Sequence, residues 1–401
     1  MSLRRQLLVS FCVQGVGAAA VLLATLWLGS RLGPDIQGGF SRTKSEVEFI
    51  AAFAMFGLPQ ALFFHVKSGR LSGAAASRWT LWSTLLALGL GASYAALRHA
   101  HSGAWLPLAL GAAVAACVAH GQLRALLLVR EGTAWFNGVT ALPQVLVLAG
   151  VLAVSGWGVA GAFPLLEWLL LFAIAYGVAA ALAWPRLGAR VDTPAVGRVG
   201  WRDLGHFGAA AWLTAALSTA AILAVQQWVE AAEGRTALGQ FTMAMTLVQV
   251  PLTPISYAAP LLFRRWMEQP GLNASWRWAG KVFAALLGVA GLVWLAASVW
   301  PDLGLGAAYG GATRALALLL VGGAAEAASR VLAVQANASG LPWVAVRAEL
   351  ARWGVLVLGW LLPLPHGLLP LCGVWAAAAA VASLVVAWHA RTRALASRGM
   401  P

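Results

Sequence analysis

Runs of about twenty apolar residues recur along the whole chain, and this recurrence decides what the chain can become, because such a run is the length of a helix that crosses a hydrocarbon core. Leu166 to Ala183 shows the pattern at its plainest: apolar on every helical face, with one charge, Glu167. Six runs centre near Ala19, Phe56, Leu88, Val114, Val147 and Ala173; after a polar stretch from Pro185 to His206, six more centre near Leu217, Val250, Leu287, Ala324, Leu356 and Ala378. Only 10% of the residues are charged and 61% are hydrophobic, whereas a soluble domain carries roughly 25% charged residues. The polar residues cannot coat a water-soluble globule. A transmembrane barrel would alternate apolar and polar residues in segments of about ten, and these runs do not alternate. The pattern predicts an all-α polytopic membrane protein with twelve transmembrane helices.

Charge sets the orientation. Placing both termini in the cytoplasm puts 21 of the 27 basic residues on the inner side and leaves Arg31, Arg42, Lys44, Arg98, Arg235 and Arg314 outside, the bias that positive-inside insertion produces. An odd number of spans would spoil it. Arg4 and Arg5 precede a run from Leu7 to Gly29 that is long enough to span, so it is expected to stay as the first helix rather than to be cleaved as a signal. Trp27, Trp79, Trp105, Trp157 and Trp184 stand near span ends, where indole anchors at the interface. The net charge of +14 is spread singly between apolar runs, which argues against nucleic acid as a partner. Cys12, Cys117 and Cys372 lie far apart within apolar segments, so neither a disulfide framework nor a metal site is expected, and no cofactor is implied. No phosphate-binding Gly-Lys-Ser loop occurs, so intrinsic ATP hydrolysis is not expected.

The two halves echo each other at an offset of 201 residues. Gly33, Gly38, Phe40 and Pro59 stand opposite Gly234, Gly239, Phe241 and Pro260. A second echo, Val145 to Gly150 against Val355 to Trp360, has an offset of 210. Equivalent elements six spans apart share one orientation, so the repeat predicts two parallel six-helix bundles with substrate between them. The expected division is an N-lobe of residues 1–184, a cytoplasmic linker of 185–206 and a C-lobe of 207–401. Pro59 and Pro260 each remove a backbone donor inside a span and are candidate kinks or hinges.

The segment Leu28-Gly-Ser-Arg-Leu-Gly-Pro-Asp-Ile-Gln-Gly-Gly-Phe40, followed by a span closing on Gly57-Leu-Pro-Gln-Ala-Leu62, resembles the first two helices of the polysaccharide-unit (O-antigen or exopolysaccharide) flippases. These belong to the multidrug, oligosaccharidyl-lipid and polysaccharide exporter superfamily. The stretch Gln122 to Gly150, with Arg124, Arg130 and Gly132, is similar to that family's connection between its fourth and fifth helices. The resemblance implies a MATE-like fold and the transfer of an undecaprenyl-diphosphate-linked glycan, by alternating access and coupled to an ion, across the bacterial inner membrane. It also implies contacts with membrane lipids and, as partners, a polysaccharide polymerase and glycosyltransferases. Lipid II flippases of the same superfamily have fourteen helices and arginines in the first, whereas this first span carries only Gln14 as a strong polar group. A peptidoglycan role is therefore disfavoured.

Ionisable groups at membrane depth are costly and read first as functional candidates. Glu167, read as ten residues into span six with no local basic partner, is the expected coupling-ion site. His120 and Arg124, four apart and hence on one helical face, suit a diphosphate. Arg42 and Lys44 are the densest positive charge on the outer side, and His65 and Lys67 close span two on the inner side; all four are candidate substrate-binding groups. Ser45 and Glu48 read as a capping box at the start of span two. Glu326 and Arg330, also four apart, read as a pair that neutralises itself. Two rivals stand beside the flippase. A proton- or sodium-coupled drug or cation antiporter of the same fold would rest on Glu167. A glycan polymerase would need a catalytic outer loop, and the long polar stretch carrying Arg186, Arg190, Arg198 and Arg202 falls on the inner side instead. No catalytic residues are assigned, so the chain is not read as an enzyme.

Overall fold

The computed structural model describes residues 3–99, 105–130, 133–156, 165–188, 200–268, 272–299, 307–339, 341–363 and 365–396. Half of the 185–206 linker, residues 189–199, lies outside this set. The described residues form α-helices, α1 (Leu3–Leu32), α2 (Pro34–Ala54), α3 (Leu58–Lys67), α4 (Gly73–Arg98), α5 (Leu106–Arg130), α6 (Thr133–Gly156) and α7 (Leu165–Gly188) in the first half. The second half holds α8 (Trp201–Glu268), α9 (Leu272–Val299), α10 (Gly310–Ala338), α11 (Trp343–Leu361) and α12 (Leu368–Ala396), with a single turn of 3-10 helix at Ala307–Tyr309. The chain is an all-α, multi-pass membrane protein.

Among the described residues nine helical runs are long and apolar enough to cross a membrane, or ten when α2 and α3, bent by 47°, count as one. One of these runs, Gly208–Thr253, contains two spans, because α8 leaves helical dihedrals at Gly234, with φ 85°. Helix α11 is the remaining span; it carries Arg347, Glu349 and Arg352 in its 19 residues. Counted so, the described helices make twelve crossings, at the places the hydropathy pattern marks.

Two turns are made by repeat-related glycines. Gly33 separates α1 from α2 and Gly234 separates the two arms of α8, both at φ 85°, a backbone region that glycine enters without steric cost. Because Gly33 alone separates α1 from α2, α2 starts at Pro34, where a missing N–H costs nothing, and Asp35 sits in its first turn. This corrects the capping-box expectation: Ser45 and Glu48 lie in the middle of α2 and cap nothing. It also places Arg42 and Lys44 well inside α2 rather than at the start of its span.

The chain divides into two compact units, Met1–Trp27 with Phe40–Thr219, and Leu28–Gly39 with Ala220–Pro401. In the first, Leu58, Ala61 and Leu62 of α3 pack against Leu123, Leu126 and Leu127 of α5. Helix α1 is tied to α6 by Gln14 Nε2 donating to Asn137 Oδ1 at 2.5 Å and Asn137 Nδ2 donating to Ser10 Oγ at 2.8 Å. In the second, Phe241, Val248 and Leu252 of α8 pack with Leu319 and Leu320 of α10 and with Leu371 and Trp375 of α12. In lipid, where the surroundings are as apolar as leucine, such close packing and interhelical hydrogen bonds hold helices together.

The α1–α2 turn packs on its own repeat equivalent inside the second unit. A Cβ on Gly38 would lie 2.9 Å from the backbone nitrogen of Gly239, and one on Gly239 would run into the carbonyl oxygen of Pro34. Thr236 Oγ1 donates to Asp35 Oδ1 at 2.7 Å, between residues 201 apart, and Thr242 Oγ1 donates to Gln37 Oε1 at 3.2 Å. The periodicity seen in the sequence is thus a physical contact between equivalent residues.

Candidate functional site

The first unit contains a small cleft of about 20 Å³ lined by Val21 and Ala24 of α1, Phe40 and Lys44 of α2, Gln144 and Val147 of α6, and Phe172 and Tyr176 of α7. Phe40 holds the aromatic wall in place, edge-on to Trp168 at 4.9 Å and tilted against Phe172 at 5.3 Å between ring centroids. Lys44 is the charged group of the lining, and its Nζ pairs with Glu48 Oε1 at 2.7 Å one helical turn along α2. An ammonium, an amide and a phenol converge there among apolar side chains and rings.

The structure gathers only part of the predicted set here. The ring of His120 stands edge-on to Tyr176 at 5.3 Å, and Arg124 and Glu48 lie within electrostatic reach of the same phenol. His120 itself is buried, its Nε2 donating to the carbonyl of Val139 at 2.9 Å, so it also ties α5 to α6. Arg42 turns elsewhere, to Glu46 at 3.4 Å, whose second oxygen lies 3.6 Å from Nε2 of His99. His65 is buried at the end of α3, and Lys67, exposed, lies over the ring of Phe63 at 5.7 Å.

Glu167 stands where the sequence reading did not put it. Helix α7 begins at Leu165, so Glu167 occupies its first turn and is exposed. The placement deep within a span is corrected: a carboxylate in a first turn complements the helix dipole and needs no buried partner. Pro164 lies outside the described residues. Pro59 lies in the first turn of α3, directly after the break between α2 and α3, whereas Pro260 lies within the helical run of α8, of which only the backbone is described there.

The second unit holds a polar centre that the sequence reading half missed. Arg330 Nη2 donates to Glu326 Oε1 at 2.7 Å, as the spacing of four predicts. The pair extends to Arg352, whose Nη2 lies 3.7 Å from Glu326 Oε2 and whose Nε lies 3.5 Å from Glu349 Oε2. The guanidinium of Arg352 sits over the ring of Trp375 at 5.4 Å, an arrangement that arginine favours with indole. Arg352, 4% exposed and counted in the sequence only among the inner-side basic residues, is the hub of a buried network with two cations and two carboxylates. The i, i+3 spacing of Glu349 and Arg352 was the available signal.

No family model matches the sequence, and no curated protein matches it. Solved structures do. A multidrug resistance transporter of the MATE family, within the MOP superfamily and in an outward-facing conformation, superposes with a TM-score of 0.71 at 15% identity, over 99% of this chain and 96% of its own. This chain has the fold of those transporters. An inward-facing conformation of a transporter described in the same words matches with a TM-score of 0.69 at 14% identity, over 98% of this chain and 100% of that one. The lipid II flippase MurJ, in an inward closed conformation, matches with a TM-score of 0.63 at 10% identity, over 96% of this chain and 87% of its own. The MATE-like architecture expected from the sequence is therefore the architecture found.

Proposed function

We propose that the chain is a flippase that carries an undecaprenyl-diphosphate-linked oligosaccharide across the bacterial cytoplasmic membrane by alternating access, driven by an ion gradient. The observation that carries this reading is Lys44 in an aromatic cleft of the first unit. A lysine held among rings within a span is costly, and an anionic headgroup is the ligand that repays the cost. The Lys44–Glu48 pair at 2.7 Å balances the ammonium until an anion competes for it. A diphosphate entering it would displace Glu48 from the ammonium and take its charge-assisted bonds. The carboxamide of Gln144 and the phenol of Tyr176 can each donate to and accept from sugar hydroxyls. His65 and Lys67, at the far end of α3, would meet the headgroup before it enters, and the chain would work beside a polymerase and glycosyltransferases.

The rival is a drug or cation antiporter of the same fold, and the likeness to two multidrug transporter structures supports it. A cation site needs an available carboxylate, however, and the one beside the cleft, Glu48, is held by Lys44 at 2.7 Å. The test is to delete the gene in its host and to extract lipid-linked intermediates beside a drug-sensitivity panel. Accumulated inner-leaflet glycolipid with lost surface polymer is expected, and Lys44→Met should fail to restore export. Intact polymer with new drug sensitivity would overturn the flippase reading in favour of the antiporter.

A further inference from the structure

Span two is broken where its backbone is strained. Phe56, at φ 46°, is the only described residue other than glycine with a positive φ, and Gly57 follows at φ 69°. A bulky side chain rarely adopts that conformation and keeps it only where its surroundings enforce it. With Phe56 and Gly57 turned out of the helix, the Phe53 carbonyl accepts not from Gly57 but from the Phe56 N–H at 3.4 Å and from Trp212 Nε1 of α8 at 2.8 Å. The rings of Phe53 and Phe56 both lie against that indole, at 5.6 and 5.4 Å between centroids. One turn earlier on the same face of α8, Gly208 crosses the break. A Cβ on Gly57 would run into the carbonyl oxygen of Gly208, and one on Gly208 would come within 2.8 Å of the carbonyl oxygen of Gly57. Pro59 brings no N–H that a continuous helix could use.

These contacts all point one way: the first arm of α8 holds the break open. Helix α3 is anchored by Leu58, Ala61 and Leu62 against α5, so straightening span two changes the angle at which α2 meets α3. We infer that the crossing of Gly57 on Gly208, together with the hydrogen bond from Trp212 to Phe53, is a latch on a two-state joint. Latched, span two is bent by 47°; released, Phe56 returns to the right-handed region, Gly57 donates to Phe53, and α2 runs straight into α3. The inference depends on no particular substrate and goes beyond the flippase reading.

The test places spin labels at Gly39→Cys, where a side chain would meet open space, and at Lys67→Cys, an exposed position. The background is the full chain with Cys12, Cys117 and Cys372 replaced by alanine. Pulsed electron–electron resonance reads the distance between the labels. Trp212→Phe keeps the ring and removes only the donor, and it should lengthen the mean distance by about 3 Å, the gain from straightening a helix of 1.5 Å rise per residue. Adding Phe56→Gly should restore the shorter distance, because glycine holds a positive φ without cost. Should Trp212→Phe fail to fold, Gly208→Ala releases the latch from its other side and should give the same lengthening. An unchanged distance in the released variant would overturn the inference. So would a lengthening that Phe56→Gly does not reverse, since that would be unravelling and not a second state.

Discussion

The two halves of the repeat treat the same proline differently. Pro59 and Pro260 are equivalent, yet span two is broken just before Pro59, with a bend of 47°, while α8 departs from helical dihedrals only at Gly234 and runs on through Pro260. The preceding residues explain it. Phe56-Gly57-Leu58 stands before one proline and Tyr257-Ala258-Ala259 before the other. A proline removes one donor, a loss that membrane helices tolerate; turning the chain out of the helix also needs a residue at ease with positive φ, and only the first half has that glycine. The polar interiors follow the same division. The first unit has a broken span and a cleft whose lysine is paired to its own helix. The second has a continuous helix and four charged side chains closed on one another. One unit is built to be rearranged, the other to stay shut.

The largest effect expected from breaking this contrast lies in the closed network. Arg352→Met would leave Glu326 and Glu349 buried without their shared cation, and uncompensated buried charge of this kind costs about 3–5 kcal/mol. Thermal unfolding of the purified protein in detergent should show that loss, and the triple variant Arg352→Met with Glu326→Gln and Glu349→Gln should regain most of it. An Arg352→Met protein as stable as the parent would mean that the network is not what holds α10 to α11. The next effect is at the break. Gly57→Ala must hold alanine at φ 69° and drive its Cβ towards Gly208, for a cost of at least about 1–3 kcal/mol from the backbone alone. The matching change in the other half, Ala258→Gly, should cost at most about 1 kcal/mol, the ordinary helix penalty of glycine. If the two changes cost the same in unfolding experiments, the two halves do not differ in the way drawn here.

Much of the fold was legible because its signals are local. Span length and basic asymmetry mark the twelve crossings, and the glycines at offset 201 mark turns that only glycine makes cheaply. What the sequence hid depends on where helices start and on what packs across from them. Glu167 read as buried because the apolar run around it looked continuous, whereas α7 begins two residues before it. Arg352 counted only as one more inner-side charge, and nothing local told of Trp375 on α12 beneath its guanidinium. Lys44 was singled out for its charge, yet Phe172, Tyr176 and Gln144, which make its surroundings a cleft, lie on other helices about a hundred residues or more away. The break before Pro59 was half legible: the proline stands out, while the indole of Trp212 that also donates to the Phe53 carbonyl comes from a different half of the sequence.

The smallest effect expected concerns the place where the halves meet as equals. A residue that packs on its own repeat equivalent would, in an undiverged duplication, face a copy of itself. Two aspartates at the distance of Asp35 from Thr236, 2.7 Å, would repel; aspartate opposite threonine gives an acceptor and a donor. Thr236→Asp should therefore cost about 1 kcal/mol at neutral pH, as expected for like charges a few ångströms apart with solvent near. Here the shared proton decides the sign. Crowding raises the folded-state pKa of one carboxyl above its unfolded value, so the unfolding midpoint of Thr236→Asp should approach that of the parent as pH falls through the carboxylate range and drop behind it as pH rises. The exchanged pair, Asp35→Thr with Thr236→Asp, restores one acceptor and one donor and should remove that pH dependence. A Thr236→Asp protein whose midpoint tracks the parent at every pH would show that the two equivalents do not face each other closely enough to have needed to diverge.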